Sequence, residues 1–229
     1  MRIVLIGVAG IGTCLLSFLP RFLAYKETRK VELVLVDGDA FDARNLDRQS
    51  FSEQGNKAEV KAKDLRAEFP SLTVFAVPEY VTLRTIKRII RSASTILLAV
   101  DNHATRLLVS QRCQELRNVT LISGGNDLET GSVQVYRRRR GENISHPLEF
   151  FHSEIRDPKD QNPGEILDCF QMASEGDPQI VIANMAAALG MACALYQVLE
   201  GILPAEENYF NIRTGVFRLA ERSMYVASS

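Results

Sequence analysis

The sequence lacks any C-x-x-C pair; its four cysteines, Cys14, Cys113, Cys169 and Cys193, are scattered. That spacing offers neither the paired ligands of a structural zinc site nor a disulfide framework. Net charge is nearly absent too. A formal charge of −1 exerts no general pull toward nucleic acid or anionic lipid, so neither partner is expected. No internal repeat or low-complexity tract interrupts the 229 residues, a length that one large domain, or one domain with an appendage, can fill. No signal-peptide pattern is evident, which makes the cytoplasm the expected compartment. Charge is also missing locally, from Pro178 to Leu199. That run is long enough to cross a bilayer. Its Ala, Gly and Met content, with Gln179, Asn184 and Gln197, points instead to a helix packed within a soluble protein. Ala187, Gly190, Ala192 and Ala194 suit close packing in a core or a dimer interface.

What is present starts at the first residue. Ile3 to Ile6 is a short β-branched and aliphatic run, enough for one buried strand. It leads into Gly7-Val8-Ala9-Gly10-Ile11-Gly12 and then a helical pattern through Leu15, Leu16, Leu19 and Leu23. Pro20 predicts a kink or an end near Leu19. Strand, glycine turn and helix in that order form a dinucleotide-binding fingerprint, with Gly7 in the tight turn and Gly12 at the helix–strand contact. The helix N-terminus would offer its free N–H groups and positive dipole end to a phosphate. A second strand, Val31 to Val36, ends at Asp37, placed for a ribose hydroxyl.

Strand and helix signals then alternate. A helix is expected over Asn56 to Phe69, a strand over Leu72 to Val77, a helix over Leu83 to Ser92 and a strand over Thr95 to Val100. A helix over Ala104 to Leu116 and a strand over Val119 to Ser123 follow. Apolar rather than alternating strands predict an α/β, Rossmann-like fold whose mostly parallel sheet is covered by helices on both faces. Ligands of such sheets bind beyond the carboxyl ends of the strands, where Gly7, Asp37 and Asp101 fall. Past residue 124 the pattern changes. Gly124-Gly125-Asn126-Asp127 reads as a turn and Gly131 to Arg137 as an exposed or edge strand, hairpin-like. Gly141 to Pro178 reads as a long polar loop or lid, followed by the apolar helix and two last strands near Tyr209 to Arg213 and Val216 to Leu219. The expectation is one domain over 1–229, with a nucleotide-binding half at 1–123 and a hairpin, loop and helix extension at 124–229.

The chemistry-bearing residues lie at the acid-ended strand tips and between them: Asp37, Asp39, Asn45, Arg48, Gln49, Lys57, Asp101, Asn102 and Arg106. Hydride transfer does not call for an Arg and a Lys beside the phosphates. Splitting ATP does, because cations must neutralise charge on departing pyrophosphate and an Asp must hold magnesium. Arg48, Lys57 and Asp101 fit those roles. Taken singly they are a surface charge, a helix-terminal lysine and an N-cap. A nicotinamide-dependent oxidoreductase and a non-catalytic nucleotide-binding subunit remain open as alternatives.

The motifs V-D-G-D, N-L-D-R-Q, K-A-E-V, A-V-D-N-x-x-x-R and G-N-D-x-x-T-G-S-V-Q-V give the chain its resemblance to the ThiF/MoeB/HesA group. These are the E1-like enzymes that activate ubiquitin-like and sulfur-carrier proteins. The resemblance implies an ATP site with Gly7, Gly10 and Gly12 at the phosphates and Asp37 on the ribose. Asp39, Asn45, Arg48, Gln49 and Lys57 would touch phosphates or shape the site, Asp101 would bind magnesium, and Asn102 and Arg106 belong to the same motif. It further implies adenylation of a carrier's C-terminal carboxylate, and a homodimer with the apolar helix in or near the contact. Four departures stand out. Ala9 occupies a usual glycine position, the Gly55–Lys57 spacing is one residue short, and the paired zinc cysteines are absent, so no structural zinc is expected. A helix that in relatives supplies an arginine to the neighbouring subunit's ATP has no counterpart before the first strand, so that cation is expected from elsewhere or from a partner protein. Cys169, in a polar crossover stretch, is the candidate acceptor of the activated carrier, with Cys113 a weaker alternative; Cys14 and Cys193 read as core residues.

Overall fold

A computed structural model describes residues 1–25, 31–41, 51–165 and 180–219. Its strands are β1 (Arg2–Ile6), β2 (Glu32–Val36), β3 (Thr73–Val77), β4 (Ser94–Leu98), β5 (Val119–Asn126), β6 (Thr130–Arg139), β7 (Glu142–Asn143), β8 (Glu207–Asn211) and β9 (Val216–Leu219). Its helices are α1 (Gly10–Leu16), α2 (Leu19–Tyr25), α3 (Lys57–Glu68), α4 (Ile86–Ile89), α5 (His103–Gln114), α6 (Ser153–Arg156) and α7 (Val181–Leu199). All the strands join one sheet in the order β3-β2-β1-β4-β5-β6-β8-β9, with β7 also on β6. The pairs from β3 across to β5 are parallel; β6, β8 and β9 continue antiparallel.

Strand residues point alternately to the two faces, and both faces are buried. Ile3, Leu5, Leu33, Leu35 and Leu97 pack with α1, α2, α3 and α7, whereas Val4, Ile6, Val34, Val36, Ile96 and Leu98 pack with α4 and α5. A strand covered on both sides has no polar face to show, which explains the unbroken apolar runs. The architecture is the Rossmann-like one that the sequence pattern predicts.

Several boundaries differ. Pro20 lies in the first turn of α2, and the break precedes it, at Ser17 and Phe18. There its missing N–H interrupts no helical ladder. The expected helix over Leu83 to Ser92 contracts to Ile86–Ile89. Gly124 and Gly125 are not a turn; they lie in β5, opposite Val133 and Ser132, because Cβ atoms there would collide with Met191 of α7 and with Arg106. β6 is not an edge strand. β5 borders it on one side, β8 and β7 on the other. The expected loop from Gly141 includes regular elements, namely β7, α6 and 3-10 turns at Leu148–Phe150 and Pro163–Glu165.

Helix α7 is long and apolar enough to span a bilayer by length and composition. One face covers the sheet: Ala183, Ala187, Met191, Ala194 and Leu195 are buried, and a Cβ on Gly190 would come within 2.9 Å of Val133. The small residues therefore serve the chain's own core. The opposite face exposes Ile182, Met185, Leu189 and Tyr196.

A charged clasp ties the segment after β7 to the sheet. Both ring nitrogens of His152 face carboxylates, Nδ1 at 2.7 Å from Glu154 and Nε2 at 2.9 Å from Glu207. Two acceptors require two N–H donors, so the imidazolium is the form this geometry favours. The Glu207 hydrogen bond holds the His152 pKa above its ordinary 6.5, against burial, and Glu154 adds to the effect. Glu207 is 1% exposed and also accepts from Gln134 Nε2 at 3.1 Å. Because the folded pKa is the higher one, the clasp stabilises fully below the ordinary value and fades as pH rises through the folded value. We expect His152→Gln to lower the urea midpoint most below pH 6.5, with the deficit narrowing as pH rises. A deficit independent of pH would show that the charge of His152 contributes nothing.

Candidate nucleotide site

The tips of β1, β2 and β4 lie side by side, since Ile6 pairs with both Val36 and Leu98. Three chain exits therefore meet at one edge of the sheet. Gly7 leaves β1 with φ +91°, its N–H on the Val36 carbonyl at 3.0 Å, and a Cβ there would sit 2.6 Å from the Ala99 carbonyl oxygen. A side chain at Gly12 would approach the Gly7 oxygen to 2.1 Å, so α1 packs directly on the turn. Gly10 is the first residue of α1, and Ala9 is its N-cap with φ −99°, a value open to alanine. Alanine has no side-chain acceptor for the first-turn N–H groups.

Asp37 holds this turn. Its carboxylate accepts from Val8 N at 2.6 Å and Asp39 N at 2.9 Å, and the residue is only 8% exposed. Burial pushes its pKa up, opposed by Lys57 and the two N–H donors. The acid expected on a ribose thus first joins the exits of β1 and β2.

From there the chain reaches Asp39 and, past residues 42–50, returns to α3. Asn56 caps that helix, Oδ1 accepting from Ala58 N at 2.9 Å, while its Nδ2 donates to the carbonyls of Asp37 at 2.9 Å and Asp39 at 3.1 Å. The short Gly55–Lys57 spacing is absorbed at Gly55, which adopts φ +149° and accepts Phe41 N at 2.8 Å. Lys57 is thereby fixed twice: its N–H meets the Asp39 carbonyl at 2.9 Å and its Nζ the Asp39 carboxylate at 3.2 Å. The lysine side chain is 7% exposed and the aspartate 47%, so the pair presents mainly its acidic member to solvent. Tyr80, which the motif reading passes over, donates its hydroxyl to the same carboxylate. Burial, then Asp39, raise that phenol's pKa, which keeps it a donor.

Asp101 is exposed, three residues past β4 and just beyond the Ala99 carbonyl that borders Gly7. The N-cap of α5 is Asn102, whose Oδ1 accepts from Thr105 N at 2.8 Å, so the capping role considered for Asp101 falls to its neighbour. Arg106 points inward. Its guanidinium donates to Ser123 Oγ at 2.9 Å and to the carbonyls of Val100 at 2.7 Å and Gly124 at 3.0 Å. Burial lowers its pKa, with Asp101 the largest opposing influence. Arg106 thus acts from beneath the surface, locking the Asp101 loop to β5 rather than reaching a phosphate.

Asn45, Arg48, Gln49 and Cys169 lie outside the described residues. Cys113 is fully buried with its thiol pKa pushed up by burial, which removes it as an alternative nucleophile. Cys14 is half-buried and its thiol pKa is also raised by burial, whereas Cys193, expected in the core, is exposed on α7. Among the described residues no three His, Cys, Asp or Glu side chains cluster around a metal-sized gap. Magnesium held by one carboxylate, phosphate oxygens and water needs no such cluster, and an exposed Asp101 at the strand tips suits it.

Arg106→Met leaves two carbonyls and a serine hydroxyl without their donor, so it should cost about 2–4 kcal/mol of stability. Urea unfolding measures this; a loss near zero would mean that water replaces the guanidinium.

A family model described as the ThiF family matches residues 1–224. Among solved structures, E. coli MccB with ATP superposes with a TM-score of 0.67 at 17% identity, over 95% of this chain and 62% of that one. The microcin C7 biosynthetic enzyme MccB in complex with N-formylated MccA gives 0.65 at 16% identity, over 97% and 66%. PaaA gives 0.66 at 17% identity, over 95% and 62%. The chain thus spans less than two thirds of these neighbours' length, and at such identity the likeness is one of fold. A search of curated proteins finds no match. With the family model covering nearly the whole chain and the fold in agreement, this protein belongs to the ThiF family.

Proposed function

We propose that the chain is an ATP-dependent adenylyltransferase of the E1-like kind, acting on the C-terminal carboxylate of a ubiquitin-like or sulfur-carrier protein or of a peptide. The observation that carries this reading is the meeting of the Gly7 turn, the Asp37–Asp39–Lys57 group and Asp101 at adjacent strand tips. MccB structures that contain ATP, and others that contain MccA, support a nucleotide and a peptide-like substrate for a site of this fold.

In this reading the glycine turn lets the phosphates approach the backbone, and Asp37 holds that turn in shape. The carrier's carboxylate attacks the α-phosphorus in line with the leaving oxygen, giving an acyl-adenylate and pyrophosphate. Lys57, with Arg48, offsets charge on the departing pyrophosphate. Asp101 would hold magnesium, which supplies charge neutralisation on the phosphates when bound. Arg106 keeps the Asp101 loop in register. Asn102 orients α5, and Asn45 and Gln49 complete the motif around the phosphates. Cys169 would then accept the carrier as a thioester, with AMP leaving. The compartment that fits is the cytoplasm, without nucleic acid or membrane as partner.

ATP–pyrophosphate exchange with candidate small carrier proteins tests this. Asp101→Ala should abolish exchange while leaving the unfolding midpoint near wild type. Lys57→Ala and Arg48→Ala should each lose about 2–4 kcal/mol of transition-state stabilisation. Cys169→Ala should keep exchange and lose any reducible adduct with the carrier. Exchange at the wild-type rate in Asp101→Ala would remove the metal-ligand assignment, and no exchange with any carrier would leave a non-catalytic nucleotide-binding subunit.

The same reading includes a homodimer through the exposed face of α7, where Ile182, Met185, Leu189 and Tyr196 recur at helical spacing. Light scattering at tens of micromolar should give twice the chain mass, and Leu189→Asp should halve it. A wild-type monomer would remove the dimer from the proposal.

A further inference from the structure

Residues 160–165 run as a strap across the carboxyl edge of the sheet. At one end Asp160 accepts from His103 N at 2.7 Å and Ala104 N at 2.8 Å, on the first turn of α5 beside Asp101. Asn162, nearly fully buried, donates to the Val81 carbonyl at 2.8 Å and accepts Gly164 N at 2.9 Å. Glu165 accepts from Leu83 N at 3.1 Å. The far end therefore grips the connection between β3 and α4, which carries Tyr80.

Tyr80 is wedged between two glycines. A Cβ on Gly38 would lie 2.5 Å from its ring, and a Cβ on Gly164 would lie 2.5 Å from its own Cβ and from Thr82 Cγ2. Gly38 belongs to the β2 exit and Gly164 to the strap, so the tyrosine touches both. Its hydroxyl ends on Asp39, the partner of Lys57.

We propose that Tyr80 is a positioning residue that couples the seating of the strap to the nucleotide site. The phenol holds one oxygen of Asp39, so that Lys57 meets the other at 3.2 Å instead of being chelated by both. The ammonium, in a side chain only 7% exposed, then spends one N–H on Asp39 and keeps the others for a phosphate bound against it. Seating of the strap on Tyr80 maintains that arrangement, and lifting the strap releases it. The position of the strap is thereby transmitted through Tyr80 and Asp39 to Lys57. Strap closure and nucleotide affinity become two readings of one equilibrium, and the coupling is reciprocal. This rests on the adenylyltransferase reading only for the identity of the nucleotide.

The test compares Tyr80→Phe, which keeps the ring and removes the hydroxyl, with Gly164→Ala, which crowds the strap off the ring. Asn162→Ala loosens the strap without added bulk and stands in if Gly164→Ala fails to fold. Calorimetry with ATP and magnesium should show each single variant binding about 3- to 10-fold more weakly, the net effect of one ordinary hydrogen bond. The double variant should be no weaker than either single, because both act through one contact. In pyrophosphate exchange, kcat should fall as well as ATP affinity, because Lys57 also serves the departing pyrophosphate. Amide hydrogen exchange at Asp39 and Lys57, whose N–H groups meet Asp37 and the Asp39 carbonyl, should accelerate in the strap variant as in Tyr80→Phe. Additive losses, or unchanged Asp39 and Lys57 amides when the strap is displaced, would overturn the coupling. If wild-type protein binds no ATP, the adenylyltransferase reading falls, while the amide measurements still decide whether strap and site are joined.

Discussion

A single buried carboxylate organises the carboxyl edge of this sheet. Asp37 spends its two oxygens on Val8 N and Asp39 N, the backbones leaving β1 and β2. Burying a carboxylate is costly unless hydrogen bonds and a cation compensate. Here the compensation comes from the elements that must be placed: the glycine turn, the Asp39 corner and Lys57 at the start of α3. Loss of any one strands the charge, so the loop geometries are tied together.

The same economy recurs along the edge. Arg106 is buried beside Asp101 and uses its fork on three oxygens of the β4 exit and β5. His152 sits between Glu154 and the buried Glu207 and draws α6 to β8. Each buried charge spans two elements distant in sequence and fixes their relative position, as an apolar contact of the same area would not, because a charge–hydrogen-bond arrangement tolerates little displacement. Exposed ion pairs such as Arg21–Glu68 contribute little beside these.

Helix α7 shows how one apolar segment serves two surfaces. Alanines, Gly190 and Met191 settle onto β5 and β6, where Gly124 leaves room for the methionine sulfur. Ile182, Met185 and Leu189 face away. A helix apolar all round needs cover on both sides, and this is the physical basis for seeking a second copy of the chain there.

Much of the fold was legible in order of residues alone. Apolar strands alternating with helices, the glycine turn after β1 and an acid at the end of β2 are local patterns with local causes: two-sided burial, a close backbone approach, and a strand tip. They determined the Rossmann-like sheet and drew attention to Gly7, Asp37, Lys57 and Asp101. The antiparallel half was read less well. Gly124-Gly125 resembles a turn because glycine is missing a side chain, yet in β5 that lack serves Met191 and Arg106, neighbours 67 and 19 residues away in the chain. β6 looked like an edge because nothing in its own residues announces the return of β8. Arg106 and Tyr80 make the same point at the site. An arginine in a motif can face a ligand or the core, and only the carbonyls of Val100 and Gly124 converging on it decide which. Tyr80 carries no motif at all, and its place between Gly38 and Gly164, with its hydroxyl on Asp39, arises where three distant segments cross. Periodicity and turn chemistry are properties of neighbours in sequence and can be read there; the partner of a buried charge or ring is a property of neighbours in space, and only the folded chain assigns it.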